Sequence, residues 1–212
     1  ILERLTATAG VRWFKAENSL RGFFGYNANY SGNYGEALCF DPAGYNGSPC
    51  TNLDDEVSDS GNVTKFNLTY RIDDQRLLYV TYSEGFRPGG INRNGTVPPY
   101  QPDFLTNYEL GWKTTWANGT LRFNGAVFHE DWDDIQYSFL PPSGSGLTVI
   151  RNAGKARIDG IEADLTWSPV LDLVLSGGVS WLKARLAEDY IPNPSTPPLP
   201  TDTPAAFEGD RL

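Results

Sequence analysis

Tyr108-Glu-Leu-Gly-Trp-Lys-Thr-Thr-Trp-Ala-Asn-Gly-Thr-Leu-Arg-Phe-Asn-Gly-Ala-Val127 holds two strands and the turn that joins them. Before the turn, Tyr108, Leu110, Trp112 and Trp116 alternate with Glu109, Gly111, Lys113 and Thr115. After it, Leu121, Phe123 and Val127 alternate with Arg122, Asn124 and Ala126. Successive side chains of an extended chain point to opposite faces, so this spacing makes one apolar face and one polar face. Asn118-Gly119 is a strong hairpin signal, because both residues tolerate the left-handed backbone of a tight turn.

The same period recurs in both directions along the chain. It runs through Leu5–Trp13, Thr64–Tyr70, Leu78–Tyr82, Ile161–Trp167 and Leu171–Trp181. The pattern predicts about seven strands. Three connections are short: Asp73-Asp74-Gln75, Ala117-Asn118-Gly119 and Ser168-Pro169-Val170. Longer polar segments lie at 18–61, 87–103 and 139–147, and again after Tyr190. Short and long connections alternate strictly. A soluble sandwich has no reason to sort its loops this way, whereas a membrane barrel has short periplasmic turns and long external loops. Glu3–Lys15, Thr120–Phe139 and Thr148–Trp167 also exceed the usual strand length of about 5–6 residues. Trp116 and Trp167 sit beside short turns, as members of an interfacial girdle would. In a soluble β protein the same Trp residues would be core and the polar faces would be solvated.

Composition narrows the class. The chain has 212 residues, a formal net charge of −9, and 6 Trp, 11 Tyr and 11 Phe. That acidity argues against nucleic acid as a partner, which calls for clustered Lys and Arg. Mean hydropathy is −0.40. The longest charge-free apolar stretch, Leu173–Leu182, is far short of the roughly 20 residues of a spanning helix, but a spanning strand needs only about 9–11. Cys39 and Cys50 share one Gly/Asn/Pro-rich stretch. A disulfide between them is the simplest reading and implies an oxidising compartment; two free thiols are the alternative. The alternation is already running at Ile1 and there is no Met, so the expectation is an internal piece of a longer protein, with no signal peptide in view.

Several segments in order resemble TonB-dependent outer-membrane receptors. They are Leu77-Leu-Tyr-Val-Thr-Tyr-Ser-Glu-Gly-Phe-Arg-Pro-Gly-Gly90, Phe104-Leu-Thr-Asn-Tyr-Glu-Leu-Gly-Trp-Lys113, Leu121–Gln136, and Asn152-Ala-Gly-Lys-Ala-Arg-Ile-Asp-Gly-Ile-Glu-Ala-Asp164. Phe207-Glu-Gly-Asp-Arg-Leu212 resembles the lead-in to a further strand. The resemblance covers 62–190 well and Leu2–Phe14 loosely. It implies an all-β, antiparallel, up-and-down transmembrane barrel, of which residues 1–212 form an incomplete segment. The complete barrel would have about 22 strands around a plugged lumen. It implies residence in the bacterial outer membrane among its lipids, and uptake of large scarce solutes, foremost ferric siderophores. It implies a TonB complex acting through an N-terminal region, with the TonB box, plug and terminal strands lying outside this chain. Seven strands alone leave two open edges, so the segment is expected neither to fold nor to transport alone. The rival readings are a passive porin-type channel and a soluble secreted β-rich carbohydrate-binding protein.

Candidate sites are few. Glu130, Asp131, Asp133 and Asp134 are the densest acidic run, and alternation sends Glu130 and Asp134 to one face and Asp131 and Asp133 to the other. His129 is the single His and follows the apolar face of Leu121, Phe123 and Val127, which suits a membrane-interface residue better than a catalytic one. No catalytic set, cofactor site or metal site is expected. Ligand contacts belong to long-loop residues at the mouth. Arg87, Arg93 and Tyr100 are the candidates, because anionic chelates suit Arg and aromatic partners.

Overall fold

The computed structural model describes residues 2–25, 39–42, 44, 46–48, 50–95, 97–140, 147–191 and 203–212. The tips of the predicted long connections within 26–38, 141–146 and 192–202 lie outside the described residues. Nine strands follow in order: β1 Leu5–Gly22, β2 Leu53–Asp73, β3 Arg76–Arg87, β4 Asp103–Trp116, β5 Leu121–Asp133, β6 Gln136–Phe139, β7 Val149–Asn152, β8 Ala156–Val170 and β9 Leu173–Leu186. Seven of them form one antiparallel sheet in the order β1-β2-β3-β4-β5-β8-β9. β6 and β7 pair separately as a small hairpin. The sheet is unclosed, with β1 and β9 at its edges.

Register carries the alternation across the whole sheet. Leu68, Val80, Leu110, Val127, Ile161 and Trp181 stand in one unbroken cross-strand row. All six are apolar and more than a third exposed, so this face has no protein cover. One row runs through Phe66, Tyr82, Tyr108 and His129 nearer the loops, with Tyr82 and Tyr108 edge-to-face at 5.4 Å between centroids. Another runs through Trp116, Leu121, Trp167 and Leu175 beside the turns. Two aromatic rows flanking an apolar band are what a sheet needs to sit in a bilayer.

Three glycines each face an aromatic ring directly across the ladder: Gly111 opposite Tyr79, Gly125 opposite Trp112 and Gly160 opposite Phe128. A Cβ at any of them would overlap that ring. The ring thus lies flat over the neighbouring backbone and covers the surface that the glycine leaves bare.

The turns of β2–β3, β4–β5 and β8–β9 all fall at one end of the sheet, as the alternation of loop lengths predicts. At the first, Arg76 pairs with Asp73. That guanidinium, with the Gln75 backbone N–H, holds the Asp73 carboxyl below its ordinary range. The third turn sits later than predicted. Ser168 and Pro169 fall in an irregular stretch of the β8–β9 ladder between Trp167 and Val170, and the reversal occurs at Leu171-Asp172, with Asp172 at φ 64°. Pro169 lacks an N–H, and it stands where the β8–β9 register is irregular rather than in the regular ladder.

Two other boundaries differ from expectation. β1 runs on to Gly22 and β2 begins at Leu53, both well inside the segment read as a loop. From Leu53 to Thr64, β2 pairs with β1 but not with β3. The predicted long strands 120–139 and 148–167 are each broken, because Asp134 takes φ 56° and Ala153–Lys155 leave the ladder. That break sets the β6–β7 hairpin apart from the wall.

Candidate functional site

The buried side chains concentrate at the loop end. Thr51, Leu53, Ile91, Asn92, Asp103, Ile135, Val149, Ala153 and Ala156 are all under a tenth exposed. They come from the end of the β1–β2 ribbon, the segment between β3 and β4, and the β6–β7 hairpin with its flanks. The connections therefore build a mouth with its own small core.

Polar side chains tie these segments together. Asn92 donates through Nδ2 to the carbonyls of Pro98 at 2.8 Å and Ile150 at 3.0 Å, while its Oδ1 accepts the Ile150 N–H at 2.8 Å. Its amide thus substitutes for a strand neighbour of β7. Asn152 accepts the Gln101 N–H and donates to the carbonyls of Gln101 and Asp134. Gln136 donates through Nε2 to the Pro88 and Gln101 carbonyls. Backbone groups of irregular segments have no ladder partner, and these amides supply both a donor and an acceptor.

Arg87 anchors the same network. Its guanidinium makes a forked ion pair with Asp103, whose side chain is 2% exposed. Asp103 also accepts the Gln136 N–H at 3.1 Å. Arg87 stacks over Trp132 at 5.0 Å, and the Asp103 carboxylate raises its pKa further above the ordinary value. The structure thus gives Arg87 a positioning role at the rim.

Arg93 and Tyr100 come together elsewhere. They border one cavity of about 510 Å³ with Asn18, Leu20, Asn92 and Thr148. Gly90 and Tyr100 exchange backbone hydrogen bonds at 3.0 and 2.9 Å, and the Tyr100 ring covers Gly90, where a Cβ would overlap it. Arg93 is exposed and has no ion-pair partner among the described residues. The cavity brings together a cation, a phenol, the Asn18 amide and the Thr148 hydroxyl, a set suited to a large oxygen-rich anion.

The acidic run does not converge. Asp133 pairs with Lys155 at 2.8 Å and Asp131 with Arg157 at 3.5 Å. Glu130 belongs to the opposite face, and Asp134, expected beside it, has left the strand. His129 stands 2.8 Å from Asp159. No cluster of three metal-ligating side chains occurs among the described residues. Cys39 and Cys50 have Cα atoms 6.1 Å apart, within disulfide range.

Sequence reasoning did not single out Asn92 or Asp103, which hold the mouth in place. Replacing Asp103 with Ala strands the Arg87 guanidinium and the Gln136 N–H. The expected effect is a local loss of about 2–3 kcal/mol. It should appear as faster protease cleavage within 87–103 in the membrane-embedded parent protein. Arg93→Ala should leave cleavage unchanged.

The family model described as TonB dependent receptor-like, beta-barrel, matches residues 1–210. The chain is 28% identical over 151 residues to the ferric-pyoverdine 358 receptor of Pseudomonas putida, covering 70% of this chain and 18% of that receptor. It therefore spans less than a fifth of the length of that relative. Among solved structures, the ferric yersiniabactin uptake receptor FyuA of Yersinia pestis superposes with a TM-score of 0.61 at 18% identity, over 89% of this chain and 25% of that one. The ferric-catecholate import receptor Fiu of E. coli K12 also gives 0.61 at 18% identity, over 87% of this chain and 26% of that one. These two likenesses establish the fold. Together with the uncovered apolar face, the aromatic rows and the turns gathered at one end, the family match settles the matter: this chain belongs to the TonB-dependent receptor-like β-barrels, which reside in the outer membrane of Gram-negative bacteria.

Proposed function

We propose that the protein containing this chain is an active-transport receptor for ferric siderophores, and that this chain supplies part of the wall and mouth of its barrel. The observation that carries the reading is the loop-end cavity, where Arg93 and Tyr100 meet above a bilayer-ready sheet. The similarity to a protein named as a ferric-pyoverdine receptor supports it. A ferric siderophore docks in this cavity, with Arg93 facing its negative charge and Tyr100 its rings. Arg87 holds the rim against Asp103 and does not touch the ligand. A Cys39–Cys50 disulfide restrains the connection between β1 and β2. A plug and a TonB box, encoded outside this chain, close the lumen and couple it to the TonB complex of the inner membrane. The chain has no catalytic role.

The test is uptake of ⁵⁵Fe-loaded siderophores by cells lacking the parent gene, complemented with or without a functional TonB. Uptake that needs both the gene and TonB supports the reading, whereas gene-dependent uptake indifferent to TonB makes the protein a passive channel. In the same cells, Arg93→Ala and Tyr100→Ala are each expected to weaken ligand binding about tenfold, or about 1.4 kcal/mol. Wild-type affinity in both variants would place the ligand elsewhere.

A further inference from the structure

One wall of the mouth cavity belongs to the β1–β2 ribbon. Asn18 and Leu20 line the cavity from there, while Arg93 and Tyr100 line it from the connection between β3 and β4. Across the ribbon, Ala16 pairs with Asp59, Asn18 with Val57 and Leu20 with Asp55. Alternate residues share a face, so Asp59 stands on the cavity side of the ribbon, one step below Asn18. There its Oδ2 accepts the Gly89 N–H at 2.9 Å. Asp59 takes no ion pair among the described residues. The next residue, Gly90, exchanges both of its backbone bonds with Tyr100. A Cβ on Gly89 would meet the Tyr100 carbonyl oxygen at 2.5 Å and the Asp59 carboxylate at 3.0 Å. Asp59 therefore bears, through two glycine backbones, on a residue of the opposite cavity wall.

The ribbon needs such a tie. From Leu53 to Thr64, β2 bonds to β1 and not to β3, and two strands by themselves are marginally stable. β2 and β3 part beyond the Lys65–Ser83 pair. Side chains bridge the seam instead. Glu84 accepts the Thr64 N–H at 2.8 Å and its hydroxyl at 2.7 Å. Phe14 stacks on Phe86 with centroids 3.5 Å apart. Both lie where the ribbon leaves the wall, so they fix its root and not its outer part. Asp59 acts farther out, and a carboxylate acceptor binds an N–H more strongly than a neutral one. We infer that Asp59 is a positioning residue of the mouth cavity: its bond to Gly89 holds the ribbon wall, with Asn18 and Leu20, at a set distance from Arg93 and Tyr100. Its effect on a bound chelate rests on the transport reading above, whereas the latch itself does not.

Nitroxide labels at Ser58→Cys on the ribbon and Pro98→Cys on the opposite connection, both exposed sites, report the separation of the two walls in the full-length parent protein in outer-membrane vesicles. Asp59→Ala is expected to broaden the distance distribution about twofold. Asp59→Asn keeps an oxygen acceptor for the Gly89 N–H and should leave the width as in the wild type. Protease cleavage within 87–103 should stay unchanged in both. In the same vesicles, dissociation is followed for ⁵⁵Fe-loaded hydroxamate, catecholate and phenolate chelates. A chelate that the wild type binds should leave Asp59→Ala about tenfold faster, and Leu20→Ala should add nothing further in that background. An unchanged distance distribution overturns the latch. So does faster cleavage within 87–103 in Asp59→Ala, which makes Asp59 a residue that only keeps the connection folded. Full additivity of Asp59→Ala and Leu20→Ala overturns it as well, since the ribbon wall would then act without the latch. If the widths change as expected while the wild type binds none of the three chelates, the latch stands and the siderophore reading fails.

Discussion

Val80→Arg in the full-length parent protein is expected to lower folded stability by about 2–4 kcal/mol, enough to deplete the protein from the outer membrane. Val80 pairs with Leu68 and Leu110 and lies between Leu78 and Tyr82 on the apolar face. A guanidinium there has only lipid to face and no carboxylate within its row. The readout is the fraction of heat-modifiable, folded protein in purified outer membranes, followed by urea titration in detergent-free vesicles. Ser180→Arg provides the contrast. Ser180 is exposed on the polar face and pairs with Glu162, so the new charge has water and a carboxylate, and the expected change is within about 1 kcal/mol. A larger loss in Ser180→Arg than in Val80→Arg would mean that the faces are assigned the wrong way round.

Gly125→Val is expected to be nearly as damaging, for a steric reason. The added Cβ would overlap Trp112 and stand 2.7 Å from the Glu162 carbonyl oxygen. Trp112 can swing away only by losing its seat on the sheet, and the carbonyl belongs to the neighbouring strand backbone, which cannot yield without opening the β5–β8 ladder. Overpacking costs about 1–3 kcal/mol, and the unyielding carbonyl puts this substitution at the upper end. Gly177→Ala on β9 is the control, since nothing lies within 4 Å of where its Cβ would stand, and it should be close to neutral. Comparable melting of the two variants in detergent would show that Trp112 is free to relocate.

The wall was legible because its two faces meet different solvents, and each strand writes that difference residue by residue. The seven periodic stretches all became strands of the one sheet. Pro169 misled the reading of the third turn, since Ser-Pro ordinarily marks a reversal and here fills an irregularity inside a strand. The outer halves of β1 and β2 left no alternation to read. Asp54, Asp55, Glu56 and Asp59 look like a solvated loop, yet the strand continues because ladder bonds to β1 do not depend on side-chain polarity. Arg21 pairs with Asp54 at 3.3 Å across that ribbon.

The mouth was less legible for a different reason. Its anchor, Asp103, is a residue type that is almost never buried, and its partners are far off in sequence. Arg87 lies 16 residues before it and Gln136 33 after. No local pattern announces such a site. Asn152 sits within the segment that resembles the family, but the resemblance alone does not say that its amide bridges the backbones of Gln101 and Asp134. Arg93 and Tyr100 are candidates on residue chemistry alone, and the structure adds that they line one cavity while Arg87 stands apart.

The small core at the loop end divides the chain into two materials. The wall is insoluble by construction and is held in shape by its bilayer. The mouth adds buried residues, amide bridges and an ion pair, and Leu53, Arg87, Asp103 and Ala156 root it in the ends of β2, β3, β4 and β8. The cavity lining and the amide bridges of the connections can therefore change while the lipid-facing rows stay as they are. A barrel built this way separates inheritance into two tracks, one answering to lipid and one to whatever arrives from outside.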